Sequence, residues 1–214
     1  MKKLYLILFI TAALAGVFFF TQYKKMRGIT ITHKTTDIIS QQIYNIPISN
    51  SEEPYGNPGA PMTIVEFIDL NNRDSRDIHL ALVAFINKNT QSARLFWKDA
   101  PYKGIIFQND IIAHKAVFCA AKQKKGWEFA NKIATEKKIN EAILQKVGQS
   151  VDFNIGNWWL CANSQEAKDY IDASAALSKA LGVNSAPAIF VNNRRLNLDT
   201  EIPLEEILNK FIVK

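Results

Sequence analysis

The sequence predicts an α/β fold in which one sheet is interrupted by a helical insertion, and three observations lead to that prediction. Residues 63–70 are an apolar run rich in β-branched and aromatic side chains, which is typical of a buried strand, and a helical pattern follows at 74–86. A second central strand is predicted at 93–98. Residues 186–198 predict a strand, a tight Asn-Asn turn and a returning strand.

The segment between the second strand and this hairpin has apolar positions at helical spacing. Gly126 follows the first helical pattern, and Ser164 and Gly182 are suited to begin and end the longest one. Pro203 is suited to the first turn of a last helix. The predicted helices of the insertion and the C-terminal part are 111–124, 127–136, 140–147, 155–162, 165–181 and 203–213.

The composition indicates a folded chain with a basic N-terminal end. Of 214 residues, 48% are hydrophobic and 11% aromatic, which is enough apolar surface for a sizeable core. The formal net charge is +6, but five of the positive charges lie within residues 1–27, where there is no acidic residue. The remainder is close to neutral, so the charge gives no reason to expect a nucleic acid partner.

The N-terminal segment is suited to a membrane. Residues 4–20 are apolar except for Thr11 and have lysines on both sides, and this length is at the lower end of the roughly 17–25 residues of a spanning helix. An Ala-Leu-Ala triplet offers a cleaved signal peptide as the alternative, but the apolar run continues past it. We expect residues 1–27 to be an N-terminal transmembrane anchor, and 28–55 to be a stalk with an edge strand near 42–48.

Two stretches flank the helical segment in a specific order. Residues 56–69 are Gly-Asn-Pro-Gly-Ala-Pro-Met-Thr-Ile-Val-Glu-Phe-Ile-Asp, and residues 181–193 are Leu-Gly-Val-Asn-Ser-Ala-Pro-Ala-Ile-Phe-Val-Asn-Asn. Both are similar to motifs of the DsbA-like thiol-disulfide oxidoreductases. The resemblance implies a thioredoxin-like fold over 56–214 with a helical insertion at about 104–177. It also implies a location on the periplasmic side of the bacterial inner membrane.

The resemblance departs from the family at the active site. Family members have C-x-x-C at the start of the helix, where residues 72–75 here are Asn-Arg-Asp-Ser. The amide of Asn72 cannot form a mixed disulfide, and the hydroxyl of Ser75 cannot resolve one. No catalytic residue is therefore predicted there. The resemblance further implies a cis-proline beside this place, and hence a binding groove formed by Asn72, Arg73, Ala186 and Pro187.

Other polar side chains near the predicted helix start have alternative interpretations. His79 lies one helical turn after Ser75, so a serine nucleophile with a histidine base is conceivable. The simpler interpretation is that Asn72 caps the helix and Ser75 is an ordinary first-turn residue. Glu66 matches the family's buried acid, and a buried acid must be neutral, paired or hydrogen-bonded. We predict an ion pair of Glu66 with Lys98 on the neighbouring strand.

The chain has two cysteines, Cys119 and Cys161, both in apolar parts of the predicted insertion. The resemblance implies a structural disulfide, because some DsbA-like proteins have a second disulfide in the helical domain. A redox pair that replaces the missing motif and two unpaired core thiols are the alternatives. The three histidines are scattered, and no spacing of His, Cys and Asp suits a metal, so neither a metal nor a cofactor is predicted.

Three functions remain open on the sequence. The first is a non-enzymatic, chaperone-like or assembly protein of the cell envelope, whose partner is a protein or peptide client bound by strand addition beside the cis-proline. The second is a protein thiol-disulfide oxidoreductase that uses Cys119 and Cys161. The third is a structural envelope component whose groove is closed.

Overall fold

A computed structural model describes residues 38–50, 52–101 and 111–212 of the chain. The predicted apolar runs form the two central strands, because β-branched and aromatic side chains pack well on a pleated surface that is buried on both faces. The described strands are β1 (Tyr55–Gly56), β2 (Met62–Ile68), β3 (Ala93–Asp99), β4 (Ala188–Val191) and β5 (Arg194–Arg195).

Four of the seven described helices begin at a residue whose side chain caps them. The described helices are α1 (Arg73–Lys88), α2 (Ile112–Ala121), α3 (Gly126–Ala134), α4 (Glu141–Gln149), α5 (Ile155–Ala162), α6 (Gln165–Ala180) and α7 (Leu204–Asn209). Asn72, Asn140 and Asn154 cap α1, α4 and α5 by accepting a hydrogen bond from a backbone N–H of the first turn. Ser164 caps α6 in the same way, as predicted.

The strands form one mixed sheet in the order β1-β3-β2-β4-β5. β2 and β3 are parallel, and the other neighbours are antiparallel. Glu66 lies opposite Trp97, and Phe67 lies opposite Lys98. Because successive side chains of a strand point to opposite faces, Glu66 and Trp97 share one face while Phe67 and Lys98 share the other.

Both faces of the sheet are covered. On the face of Glu66, helices α1 and α7 pack against the strands through a buried cluster that includes Ile64, Leu82, Phe85, Leu95, Ile189 and Leu208. On the opposite face, α6 and residues near Ile46 cover Val65, Phe67, Phe96 and Phe190. The apolar burial on both sides explains why β2 is a continuous hydrophobic run.

The helical insertion has a core of its own. Trp158 is fully buried, its Nε1 donates to the carbonyl oxygen of Ala116 at 2.8 Å, and its ring packs edge-to-face on Phe129. A disulfide joins Cys119 on α2 to Cys161 on α5, with 5.8 Å between the Cα atoms. The predicted disulfide is therefore confirmed.

Some boundaries differ from the prediction. Helix α2 ends at Ala121 rather than 124, and Lys124 has a positive φ of 59°, which no α-helix contains. The last helix ends at Asn209 rather than 213, and the returning strand covers only Arg194–Arg195. Residues 122–125 after α2 are charged or polar and have no apolar face to bury, and helices owe most of their stability to such packing. Leu196 after β5 and Phe211 and Ile212 after the last helix do pack against the core, but they do so outside a regular strand or helix.

The chain before β1 does not form the predicted edge strand at 42–48. Ile39 instead makes a single antiparallel bridge with Leu196, and the Tyr44 N–H donates to the Asn193 carbonyl oxygen at 2.8 Å. The predicted anchor at residues 4–20 lies outside the described residues. Within the described ranges, every helix is too short or too polar to cross a membrane.

Candidate functional site

One side chain ties the start of α1 to the loop before β4. Asn72 has extended φ and ψ angles of −88° and 126°, and its Oδ1 accepts a hydrogen bond from the Ser75 N–H at 3.1 Å. Its Nδ2 donates to the carbonyl oxygen of Ala186 at 3.4 Å. The peptide bond between Ala186 and Pro187 is cis. The predicted cap and the predicted cis-proline are both confirmed, and the Asn72 amide lies between them.

The alternative of a serine nucleophile with a histidine base is wrong. Ser75 is fully buried, and its Oγ lies 3.4 Å from the Asp69 N–H, from which it accepts a hydrogen bond. The His79 ring does not contact it, because His79 Nδ1 is bonded to Glu66 at 2.7 Å and Nε2 to the Asn131 Oδ1 at 2.9 Å. Both ring nitrogens are thus occupied, and none remains to activate a hydroxyl.

The predicted Glu66–Lys98 pair is also wrong, and the sheet explains why. Glu66 pairs with His79 on the face covered by α1, while Lys98 points to the opposite face and contacts Glu52 at 2.6 Å. Lys98 is one residue away from the position opposite Glu66, and successive residues of a strand point to opposite faces of the sheet. Being on neighbouring strands was therefore not enough to identify Lys98 as the partner of Glu66. Burial lowers the pKa of His79, but the charge of Glu66 and its hydrogen bond outweigh burial, so the pKa is raised overall.

Two indole rings enclose this buried ion pair. His79 stacks on Trp127 with the ring planes 7° apart, and it meets Trp97 edge-to-face with centroids 5.1 Å apart. The Oε2 of Glu66 has no hydrogen-bond partner among the described residues. The enclosure keeps water out, which strengthens the interaction of the two charges but leaves one carboxylate oxygen unsatisfied.

A second buried histidine lies between two carboxylates at the carboxyl ends of β2 and β3. His114 on α2 contacts Asp99 through Nδ1 at 2.7 Å and Asp69 through Nε2 at 3.3 Å. Burial lowers the pKa of His114, but the hydrogen bonds and charges of the two aspartates outweigh it and raise the pKa to about 9. The ring is therefore protonated at neutral pH and contacts both aspartates, and the Leu70 N–H also lies 3.3 Å from Nε2.

This cluster was not predicted from the sequence, although the sequence contains a signal for it. Asp69 and Asp99 each end a predicted strand, and parallel neighbours end at the same edge of a sheet. Two buried carboxylates at one edge require a cation, and His114 supplies it from the insertion. The sequence alone did not predict that α2 packs over that edge of the sheet.

Buried Arg76 connects α1 to the insertion. Its Nη1 donates to the Leu70 carbonyl oxygen at 2.7 Å, and its Nη2 donates to the Glu136 carbonyl oxygen at 3.4 Å. Burial is the main cause that lowers the pKa of Arg76 from its ordinary value. Together with the two histidine clusters, this guanidinium fixes the first turn of α1 relative to the helices beside it.

Open space flanks the cis-proline loop on both sides. A cavity of about 470 Å³ is lined by Pro187 together with Tyr44 and Leu196, and another of about 670 Å³ is lined by Ala186 together with Pro101. Of the predicted groove residues, Asn72, Ala186 and Pro187 lie together. Arg73 is instead held over the exposed surface of α1 by a bidentate pair with Asp77 at 3.0 Å.

These residues present backbone and amide hydrogen-bonding groups, but they offer no thiol at the start of α1. Both cysteines of the chain are in the disulfide of the insertion. Within the described residues, no group of three His, Cys, Asp or Glu side chains is arranged to hold a metal ion. What the site presents is a backbone carbonyl beside a cis-proline, an amide that reaches it, and cavities on either side.

We expect Asn72→Ala to lower the free energy of unfolding by about 2 kcal/mol, because it removes both the helix cap and the bond to Ala186. Asn140→Ala is the matched control, since Asn140 caps α4 by accepting from the Ile143 N–H at 3.0 Å. Asn140→Ala should lower the free energy of unfolding by only about 1 kcal/mol. Urea denaturation of both variants measures the difference, and equal losses would show that the bond to Ala186 contributes nothing.

Comparison with known proteins identifies relatives of this arrangement. Residues 49–210 match a family model described as Thioredoxin. Among solved structures, the chain is similar to a thioredoxin-like oxidoreductase from Silicibacter pomeroyi DSS-3, with 21% identity, a TM-score of 0.63, and coverage of 75% of this chain and 90% of that one. A search of curated proteins found no match.

Two further solved structures share the fold. Oxidised BdbD from Bacillus subtilis is 15% identical with a TM-score of 0.66, and the match covers 80% of this chain and 97% of that one. DsbA from Chlamydia trachomatis is 16% identical with a TM-score of 0.64, covering 80% of this chain and 95% of that one. At these identities the structures establish a common fold.

Proposed function

The chain belongs to the thioredoxin family and has the DsbA-like fold, and from that premise we propose that it binds extended segments of client proteins without exchanging their disulfides. The observation that carries the proposal is the position of the Asn72 amide. It lies at the helix start, where the related enzymes have their attacking thiol, and it is bonded to the carbonyl of Ala186 beside the cis-proline. An amide there can donate and accept hydrogen bonds, but it cannot attack a disulfide.

The groove beside the cis-proline suits an extended peptide. A client strand pairs its backbone with the peptide groups next to Ala186, and its side chains enter the cavities on the two sides of the loop. The bond from Asn72 Nδ2 to Ala186 is 3.4 Å long and therefore weak, so a client N–H can replace it. A chaperone-like or assembly role follows from binding of this kind.

The proposal includes a location in the cell envelope. We expect the folded part to lie on the periplasmic side of the bacterial inner membrane, attached through residues 4–20. Support comes from the apolar composition of that segment and from the disulfide between Cys119 and Cys161, because disulfides persist in oxidising compartments.

An oxidoreductase that uses Cys119 and Cys161 is the second candidate. The partial exposure of Cys161 is the observation in its favour, because a disulfide can be attacked only at a sulfur that a thiol can reach. Cys119 is only 1% exposed in an apolar cluster with Trp158 and Phe129, where a thiolate would be poorly solvated. This environment favours a structural disulfide over a catalytic one.

Two measurements test the proposal. The native chain should not accelerate the reduction of insulin by dithiothreitol. Separately, oxidised insulin is added to the Asn72→Cys variant. The introduced thiolate should attack an insulin disulfide, form one bond to insulin sulfur and release the other as a thiolate. The adduct should persist because Ser75 cannot resolve it.

Asn140→Cys is the matched control, because it also places a thiol at a helix N-terminus but away from the cis-proline. It should capture insulin only at the background rate. Faster reduction of insulin in the presence of the native chain would favour the oxidoreductase that uses Cys119 and Cys161. Equal capture by the two variants would mean that the groove is closed, as expected of a purely structural component.

A further inference from the structure

The sheet has an edge that its own strands leave uncovered. β1 pairs with β3 only at Leu95 and Arg94, so β3 from Phe96 to Asp99 pairs with β2 on one side and has no strand on its outer side within the described residues. If the pairing continued, Glu53 would lie opposite Trp97. The Glu53 carbonyl oxygen instead accepts from the Nε1 of Trp127 at 2.9 Å.

The backbone of this edge presents an unpaired donor and acceptor. The Ala100 N–H donates to the Ile68 carbonyl oxygen in β2 at 2.8 Å. Counting back from Ala100, the N–H and C=O groups of every second residue of β3 therefore point toward β2. The peptide groups of Trp97 and Asp99 therefore face outward. The Asp99 carbonyl accepts from the Ser174 Oγ at 2.8 Å, whereas the N–H and C=O of Trp97 have no partner within the described residues.

A cavity with aromatic walls lies beside this unpaired peptide group. It measures about 440 Å³, and the aromatic side chains that line it are Trp97, Phe118, Trp127 and Tyr170. Phe118 and Tyr170 stack with centroids 4.1 Å apart. The two indole N–H groups are already bonded, Trp97 to Asp99 and Trp127 to Glu53, so the indoles contribute apolar surface to the cavity. The volume suits one large apolar side chain with room to spare.

We propose that this edge is a second binding site, which takes an extended peptide of a client protein as an added strand and an aromatic or large aliphatic side chain in the cavity. Within the described residues the N–H and C=O of Trp97 face outward without a partner, and their donor and acceptor match those of one residue of an extended backbone, as in strand addition at a sheet edge. The rim carries the exposed side chains of Glu53 and Lys124, both without an ion-pair partner within the described residues. Opposite charges at one rim suit a polypeptide and disfavour a polyanion. This site does not depend on the cis-proline groove.

Binding to the full-length chain is measured with a short fluorescein-labelled peptide of alternating serine and threonine around one central phenylalanine. We expect it to bind at least about tenfold more tightly than the same peptide with glycine at the centre, because one aromatic side chain is buried. N-methylation of the peptide bonds on either side of the phenylalanine should weaken binding by a similar factor. Hydrogen exchange should slow at the Trp97 N–H when the phenylalanine peptide is added.

Ala121→Trp fills the cavity from its rim, where Ala121 is exposed, and should weaken binding at least about tenfold. Ala142→Trp is the matched control at an exposed position of α4 and should leave binding unchanged. Should Ala121→Trp fail to fold, Tyr170→Ala removes one wall and should also weaken binding. The Asn72→Cys variant should still capture insulin when Ala121→Trp is added to it. A failure of this second binding site can therefore be distinguished from a failure of the cis-proline groove.

Three results would overturn the proposal. Equal affinity for the phenylalanine and glycine peptides would exclude the cavity as a side-chain pocket. Equal affinity of the N-methylated peptide would exclude strand addition. A Trp97 N–H that is already protected from exchange in the unliganded full-length chain would mean that another segment of this chain occupies the edge.

Discussion

Replacing His114 with leucine is expected to lower the free energy of unfolding by about 3–5 kcal/mol, because it leaves two buried carboxylates without their cation. Asp69 is 3% exposed and Asp99 is 1% exposed, so water cannot replace the imidazolium. The loss is measured by urea denaturation at neutral pH. A leucine of similar volume keeps the packing of α2, which isolates the electrostatic contribution.

The same histidine should make stability depend on pH in a defined direction. The pKa of His114 is raised to about 9 in the folded chain, against about 6.5 when unfolded. The folded state therefore binds more protons between these values. The stabilisation is fully present below about pH 6.5 and is lost as the pH rises through about 9, a loss of about 3 kcal/mol. His79, whose pKa is also raised, contributes in the same direction.

The matched control removes a cation from an exposed pair. Lys122 contacts Glu166 at 2.6 Å, but both side chains are about half exposed, so Lys122→Leu should cost less than about 1 kcal/mol. It should also keep the pH dependence between 6.5 and 9, which His114→Leu should largely lose. A His114→Leu variant that retains the full slope would show that another group is responsible.

Breaking the disulfide is expected to have an effect of similar size. Cys119 and Cys161 are 42 residues apart in sequence, and closing a loop of this length stabilises the folded chain by about 4 kcal/mol on the chain-entropy model. Cys161→Ser removes the bond at the partly exposed cysteine. Its unfolding free energy should fall by about that amount, as should that of the native chain in dithiothreitol.

The buried cysteine gives a second comparison. Cys119→Ser should cost roughly 1–2 kcal/mol more than Cys161→Ser, because it also places a hydroxyl among apolar side chains. The double variant should be no less stable than Cys119→Ser, since one cross-link is lost in every case. A Cys161→Ser variant as stable as the native chain would mean that the bond does not constrain unfolding.

Elements defined by local pattern were predictable. The continuous apolar run of β2 and the spacing of α5 and α6 involve side chains a few residues apart, and the caps Asn72 and Ser164 act on N–H groups three residues away. The predicted bounds of these elements differ from the observed ones by no more than a few residues. The edge strand expected at 42–48 was not formed, although Ile46 is buried. A packed side chain does not make a strand without a ladder of backbone hydrogen bonds to a neighbouring strand.

The contacts of the site were less predictable, since they join distant parts of the chain. Glu66 was expected to pair with Lys98, but the pleat of the sheet turned them to opposite faces. The bond from Asn72 to Ala186 spans 114 residues, and the contact of His114 with Asp69 spans 45. Which of these distant residues come into contact depends on the order of the strands and on how α2 packs on the sheet. No local sequence pattern indicates either.

The sequence by itself determined which chemistry is missing. A chain with only Cys119 and Cys161 has no thiol at position 72 or 75, whatever its fold, because reactivity belongs to the atoms of a side chain. Tertiary structure alone decided how the remaining groups are used. It directed the Asn72 amide to the cis-proline loop and enclosed His114 between two aspartates. It also left the peptide group of Trp97 at a sheet edge without a partner among the residues that the structure describes. Each of these depends on which elements become neighbours, and burial and register fix that only after the whole chain has packed.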